Sequence, residues 1–363
     1  MVDIYDDISS VEELVRKHNR IFLYGAGASC RLLLASFWKE VLRDHVECVV
    51  DANPDLSGTK INVGEDEVDV IDIQSFTGQY CADDRDIVFL LTPAFSSLII
   101  ERLDLVEELD GIKVYLLPMI CRKQEAGEFD LRSTDEAMIP KTIHYFWIGE
   151  APIPDDYKRN IEGWKRLNPE YEIRCWNEEN YDFDSVSYMS EAYHMGKEYL
   201  MFATDYARMD ILHRYGGIYL DTDVELLKPL DDLLYNRGFV GEEENAQINS
   251  GSAIGTVKGH PMLEKLMSCY KDRHFLNEDG RPKRAYNTFF ETKCFIENGY
   301  RMVNSYQTVC DMACFPREVF MPICFAGMED CFSDRTVSNH RINPEHHMMH
   351  KKAYEKWKER VRL

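Results

Sequence analysis

Two glycines, a short apolar run and two carboxylates one residue apart stand in unbroken order at Tyr215-Gly216-Gly217-Ile218-Tyr219-Leu220-Asp221-Thr222-Asp223. Paired glycines make a turn that few other residues can make. The apolar run reads as a strand, in which residues i and i+2 point to the same side. Asp221 and Asp223 are therefore expected to converge at a strand end, where two carboxylates can hold one hard divalent cation through oxygen. A cation held that way can clamp a diphosphate and stabilise it as a leaving group.

At 363 residues the chain is long for one core, so two units are expected. A formal net charge of -22 argues against a nucleic-acid reader, which would carry a basic balance. An anionic small ligand is still admitted, because a metal and local Arg or Lys can reverse the field. The eleven cysteines show no CxxC or finger spacing and fit buried thiols in a reducing cytoplasm. The acidic start Met1-Val2-Asp3-Ile4-Tyr5-Asp6-Asp7 lacks a signal-peptide pattern, and apolar runs such as Ile87–Leu91 are too short to span a bilayer.

Alternating strand and helix patterns run from Arg20 to about Cys121, within a first unit expected over residues 1–125. Ile21-Phe22-Leu23-Tyr24 reads as a strand, followed by Gly25-Ala26-Gly27-Ala28-Ser29-Cys30 and a helix from Arg31. Val46–Val50, ending in Asp51, then Ile87–Leu91 and Lys113–Leu117 continue the rhythm of a doubly wound parallel sheet. Gly25-x-Gly27 and Asp51 are compatible with a nucleotide site, but Cys30 stands where a third glycine belongs. The alternative is a Rossmann-like accessory domain whose glycines serve turns and packing. A polar linker, Arg122 to Asp130, leads into a second unit spanning 136–363. The basic tail from Lys351 to Leu363 reads as a solvated helix or as one that seeks lipid headgroups.

In the second unit Ile139–Gly149 is β-rich and ends in Trp147, Ile148 and Gly149, suited to border a nucleotide base. Ala203–Leu212 reads as a helix with Asp205 and Arg208 on one face. Each piece alone has an ordinary explanation: a core tryptophan, a surface ion pair, an acidic surface dipeptide. Their clustering ahead of and within the Asp-x-Asp run is what points to a site.

These pieces resemble glycosyltransferase family 32, the Asp-x-Asp sugar transferases, a group with capsular sugar transferases and initiating α-1,6-mannosyltransferases. The resemblance rests on Ile139-Pro140-Lys141-x-Ile143-His144-x-x-Trp147-x-Gly149, Asp205-x-x-Arg208, Tyr215-Gly216-Gly217-x-Tyr219-x-Asp221-x-Asp223, Asn249-Ser250-Gly251 and Gly259-His260-Pro261. It implies an α/β architecture: a GT-A nucleotide-diphospho-sugar transferase fold preceded by the small Rossmann-like parallel-sheet domain. It implies a UDP- or GDP-hexose donor, a Mn²⁺ or Mg²⁺ ion and retention of anomeric configuration. It places Trp147 and Ile148 at the nucleotide, Asp205 and Arg208 at the donor sugar or phosphate, and Tyr219 in the donor pocket. It makes Asp223 the direct metal ligand with Asp221 supporting it, and turns Asn249 toward the sugar. The family's third ligand lies in a His-rich segment before a Trp; His350 with Trp357 is the preferred match, and His340 and His347 are alternatives. The implied acceptor is a glycan or lipid-linked saccharide of a bacterial surface polysaccharide, met in the cytoplasm or at the inner membrane face. Two other classes stay open: a sugar-nucleotide-binding regulatory protein, and a bifunctional chain with an active N-terminal nucleotide site.

Overall fold

The computed structural model describes residues 1–363 with the exception of 82–85, 125, 284–285, 325–327 and 342. Glu125, the expected last residue of the first unit, lies outside the described residues.

Seven strands form the first sheet, in the spatial order Asp3–Ile4, Lys113–Leu116, Val88–Leu91, Ile21–Tyr24, Val46–Asp51, Asp66–Asp72 and Lys60–Val63. All neighbours are parallel except the final pair. The central strands are apolar at nearly every position because both faces are covered. Phe22, Tyr24, Phe89 and Leu91 face one core, while Ile21, Leu23, Val88 and Leu90 face another.

The second sheet is mixed, in the order Gln307–Val309, Met312–Phe315, Gly238–Glu243, Gln247–Thr256, Gly217–Tyr219, Thr142–Phe146 and Glu172–Trp176. Successive residues again divide between two cores: Ile218, Phe239 and Phe315 on one side, Tyr219, Val240 and Cys314 on the other. The helix Asp155–Leu167 contributes Ile161 and Trp164 to the first of these. Leu200–Tyr215, Pro261–Lys271 and Asn287–Glu297 cover the second. That second core is continuous with Ile21, Leu23 and Leu90 of the first sheet. A separate two-stranded ladder joins Val224–Leu226 to Ser338–His340.

The basic tail returns to the first sheet. Pro344–Trp357 is a helix packed against Ser97–Leu103, and Trp357 is buried in the same core as Val2, Ile4 and Phe89. Arg360 chelates Asp104 at 2.6 and 2.9 Å, and Arg362 reaches Asp3 at 2.7 Å. Much of the tail's positive charge is thus paired inside the chain. Among the described residues no helix is long and apolar enough to cross a membrane.

Candidate active site

The strand expected to carry the two carboxylates stops at Tyr219. Asp221 to Val224 forms a turn, closed by the Val224 N–H donating to the Asp221 carbonyl at 3.0 Å. The carboxylates therefore converge through turn geometry rather than strand alternation. Two side chains of the helix Asp155–Leu167 hold that turn. Asn160 donates to the Thr222 carbonyl at 2.8 Å, and the Trp164 indole donates to the Val224 carbonyl at 2.9 Å. On the other side, Gly216 and Gly217 have φ of 69° and 104°. A Cβ on Gly217 would stand 2.8 Å from both His144 Nε2 and the Thr142 carbonyl, so glycine is required there. His144 is fully buried; its Nδ1 accepts from the Trp176 indole at 3.1 Å and its Nε2 donates to the Gly216 carbonyl at 2.9 Å. Burial pulls its pKa down to about 4, so this motif histidine is a neutral brace for the glycine turn.

The acidic turn meets a histidine from far along the chain. Asp221, Asp223 and His340 each present one ligand atom, all within 4.8 Å of one another. His340 Nε2 lies 3.1 Å from Asp223 Oδ1. Burial alone would raise Asp223, but His340 outweighs it and holds the carboxylate below its usual range. Two carboxylates and one imidazole suit Mn²⁺ or Mg²⁺ with further positions for phosphate oxygens. His340 is also the residue the two-stranded ladder sets opposite Val224.

Behind this corner sits a buried charge network. Arg208 and Asp205 are each 4% exposed and pair at 3.1 Å. Arg208 Nη1 lies 3.8 Å from Asp221 Oδ2 and donates to Ser250 Oγ at 3.3 Å. Burial works against the guanidinium charge, but Asp221, Tyr219 and Asp205 together keep it protonated. The Tyr219 hydroxyl donates to Asp221 Oδ1 at 2.7 Å. Glu291, fully buried, receives both the Ser250 hydroxyl (2.6 Å) and the Ser250 N–H (2.9 Å). Gly251 leaves room for this packing: a Cβ there would fall 2.4 Å from Asp221 Oδ2. Asn249 has its oxygen on the Gly251 N–H (2.9 Å) and its amide on Glu243 Oε2 (2.7 Å).

The Asp221–Asp223–His340 corner and the charge network line one cavity of about 620 Å³, within the range of small-molecule sites. Trp147, Ile148, Asp205, Arg208, Tyr219, Asp221, Asp223 and Asn249 all border it. Trp147 is fixed by its indole N–H on the Ala151 carbonyl at 2.7 Å, with the Tyr157 ring edge-on at 6.1 Å.

Residues 154–240 match the family described as a glycosyltransferase sugar-binding region containing a DXD motif, and the Asp221-Thr222-Asp223 turn lies inside that match. Over this stretch the chain is similar to the DXD glycosyltransferases. Relatives include inositol phosphoceramide mannosyltransferase 3 of Schizosaccharomyces pombe, 32% identical over 156 residues, covering 41% of this chain and 42% of that protein. Initiation-specific alpha-1,6-mannosyltransferase of Candida albicans is 24% identical over 195 residues, covering 44% and 50%. Uncharacterized glycosyltransferase L373 of Acanthamoeba polyphaga mimivirus is 34% identical over 137 residues, covering 36% and 54%. The chain spans about half the length of these relatives, or less.

One expected ligand is placed elsewhere. His350 is buried against Phe95 and His346, with ring centroids 4.9 and 4.7 Å away, and is outside the Asp221–Asp223 group. Its helix docks on the first sheet, and burial lowers its pKa to about 4. His347 lies on the same helix. Of the two alternatives it is His340 that stands beside the carboxylates, because strand pairing rather than spacing from a tryptophan places it there. Sequence reasoning also missed Glu291, Tyr157, Asn160 and Trp164. A carboxylate flanked by Phe290 and Thr292 in a helix with a buried face was the available signal for Glu291. Nothing local marked the other three.

Proposed function

We propose that this chain is a metal-dependent, retaining glycosyltransferase that moves a hexose from a nucleotide-diphosphate sugar to a glycan or lipid-linked acceptor. The carrying observation is the convergence of Asp221, Asp223 and His340 at one end of a cavity that also holds Asp205, Arg208 and Asn249. Asp223 and His340, with Asp221 beside them, would hold Mn²⁺ or Mg²⁺, which supplies charge stabilisation to a departing diphosphate. Arg208 adds a second, permanent positive charge facing the same space. Trp147 and Tyr157 would flank the nucleotide base, while Asp205 and Asn249 present acceptor and donor atoms to sugar hydroxyls.

Every carboxylate lining the cavity is engaged. Asp205 pairs with Arg208, Asp221 accepts from Tyr219, and Asp223 faces His340. None is free to act as a covalent nucleophile, which supports a same-face displacement. The acceptor oxygen bonds to the anomeric carbon as the carbon–phosphate-oxygen bond breaks, and the departing phosphate takes the acceptor proton. The mannosyltransferase names among the relatives make GDP-mannose the first donor to try, with UDP-glucose and UDP-galactose beside it. Donor hydrolysis with each sugar, with and without Mn²⁺, tests the proposal. Metal-stimulated release of free sugar from one donor is expected; binding without turnover would favour a regulatory sugar-nucleotide receptor. A cytoplasmic place with peripheral contact at a membrane face, and an acceptor in surface polysaccharide synthesis, belong to the same proposal. Its support is the tail helix, which exposes Met348, Met349, Lys351 and Lys352 beside an apolar groove.

A further inference from the structure

In a doubly wound sheet, ligands bind beyond the carboxyl ends of the strands where the strand order reverses. Here that point lies between Ile21–Tyr24 and Val88–Leu91, because the chain leaves the first strand toward one edge and returns to build the other. The loops beyond these two strands are closed on each other. A Cβ on Gly25 would meet Pro93 at 2.7 Å, and Thr92 Oγ1 donates to the Gly25 carbonyl at 3.0 Å. Asp51, where a ribose-binding acid would stand, instead accepts the Ala26 N–H at 2.6 Å and the Asn53 N–H at 2.8 Å.

What reaches this place is the chain itself. Gly238–Glu243 and Gln247–Thr256 form a hairpin with Glu243 opposite Gln247 and Gly241 opposite Asn249. Its tip, Glu244–Ala246, is buried and packs against the helix Leu117–Lys123. Asn245 donates from Nδ2 to the Thr92 carbonyl at 2.9 Å and to Ser29 Oγ at 3.4 Å. Gln247 Nε2 donates to the same Ser29 Oγ at 3.0 Å. Ser29 sits in the first turn of the helix Ala28–Ala35, where a phosphate would be received. Just beyond the tip, the two arms carry Glu243 and Asn249, joined at 2.7 Å, and Asn249 lines the catalytic cavity.

We infer that the switch-point crevice of the first sheet is a socket for this hairpin tip, and that Asn245 is a positioning residue for Asn249. The first unit then serves transfer by fixing one wall of the donor cavity. Only the activity readout of this inference rests on the proposed function.

Asn245→Gly is the direct test. Asn245 has φ 61°, which glycine adopts without strain, so the variant deletes the side-chain bonds and keeps the turn. Ser29→Ala is a milder second variant that removes the shared acceptor. Two measurements are made on full-length protein. Hydrogen–deuterium exchange is expected to show amides 247–251 losing protection by about tenfold, with Thr142–Phe146 unchanged. Donor hydrolysis is expected to show kcat down about tenfold, with the affinity for nucleoside diphosphate and Mn²⁺ retained, because Trp147 and Asp223 stand on other elements. Unchanged exchange at 247–251, or wild-type kcat despite lost protection, overturns the inference. A wild-type protein inactive on every donor would sink the proposed function alone, and exchange would still decide the socket.

Discussion

His340 Nε2 stands 3.1 Å from Asp223 Oδ1, although 117 residues separate them in the chain. The ladder between Val224–Leu226 and Ser338–His340 accounts for it, since pairing Val224 with His340 leaves Asp223 beside the imidazole. Burial alone would lower the His340 pKa, but Asp223, Asp221 and Glu243 outweigh it and push it up to about 9. The surroundings of His340 favour a positive charge, which is what a divalent ion would bring to the same place.

The first prediction separates the three histidines. His340→Ala is expected to weaken Mn²⁺ binding about tenfold or more, and His350→Ala to leave it unchanged, as read by calorimetric titration of the full chain. Asp223→Asn is expected to cut donor hydrolysis at least about 100-fold while the circular dichroism spectrum stays that of wild type. Metal-stimulated turnover surviving in Asp223→Asn would remove the assignment of this corner.

Gly251→Ala is a purely steric probe. The added methyl would fall 2.4 Å from Asp221 Oδ2 and 3.0 Å from Arg208 Nη1, so one of them must move. A loss of about 1–3 kcal/mol in thermal stability is expected from the overpacking. Turnover should fall further than the folded fraction does. Equal losses in both would mean that Asp221 and Arg208 hold their places.

Glu242 supplies a pH dependence whose sign follows from burial. The residue is fully buried, and neither carboxylate oxygen has a hydrogen-bond partner among the described residues. Burial therefore raises its pKa well above the ordinary 4.5, and the nearby Tyr300 hydroxyl, which donates to the Ala246 carbonyl at 2.8 Å, does not prevent this. The folded chain keeps a proton that the unfolded chain releases, so stability present below pH 4.5 is lost as pH rises. Glu242→Gln removes this titration. The thermal midpoint of the variant should exceed that of wild type by a margin that grows from about pH 5 to pH 9. A gap that does not change with pH would show Glu242 ionising normally.

The tail helix divides into a packed side and an open side. Arg360→Ala removes a bidentate pair with Asp104 and is expected to cost about 1.5–3 kcal/mol in a thermal melt, with no change in vesicle binding. Met348→Glu with Met349→Glu should do the reverse, lowering co-sedimentation with anionic vesicles at little cost to stability. Vesicle binding unaffected by the double variant would take this helix out of any membrane contact.

Much of the site was legible before the fold. Asp205 and Arg208 are three apart on a helix, and that spacing alone puts them on one face. Gly216-Gly217 announced a turn, and both glycines do take positive φ. The strands Ile21–Tyr24, Val46–Asp51 and Lys113–Leu116 were legible as apolar runs because parallel strands are buried on both faces. Where the local pattern misled, a partner lay out of sight. His350 stood at a plausible spacing from Trp357, yet Trp357 is claimed by the core of the first sheet and His350 is buried against Phe95 and His346.

By itself the sequence determined what depends on a few neighbouring residues: the glycine turn, the carboxylate pair, the shared helix face and the apolar strands. These follow from backbone sterics and residue spacing, which act within one or two turns of chain. Only the tertiary structure decided which histidine joins the carboxylates, that Glu291 backs Ser250, and that the hairpin tip at Asn245 fills the crevice of the first sheet. Each of those is a pairing across tens to hundreds of residues, chosen by strand register and by the shape of a packed core. Local spacing carries no information about either.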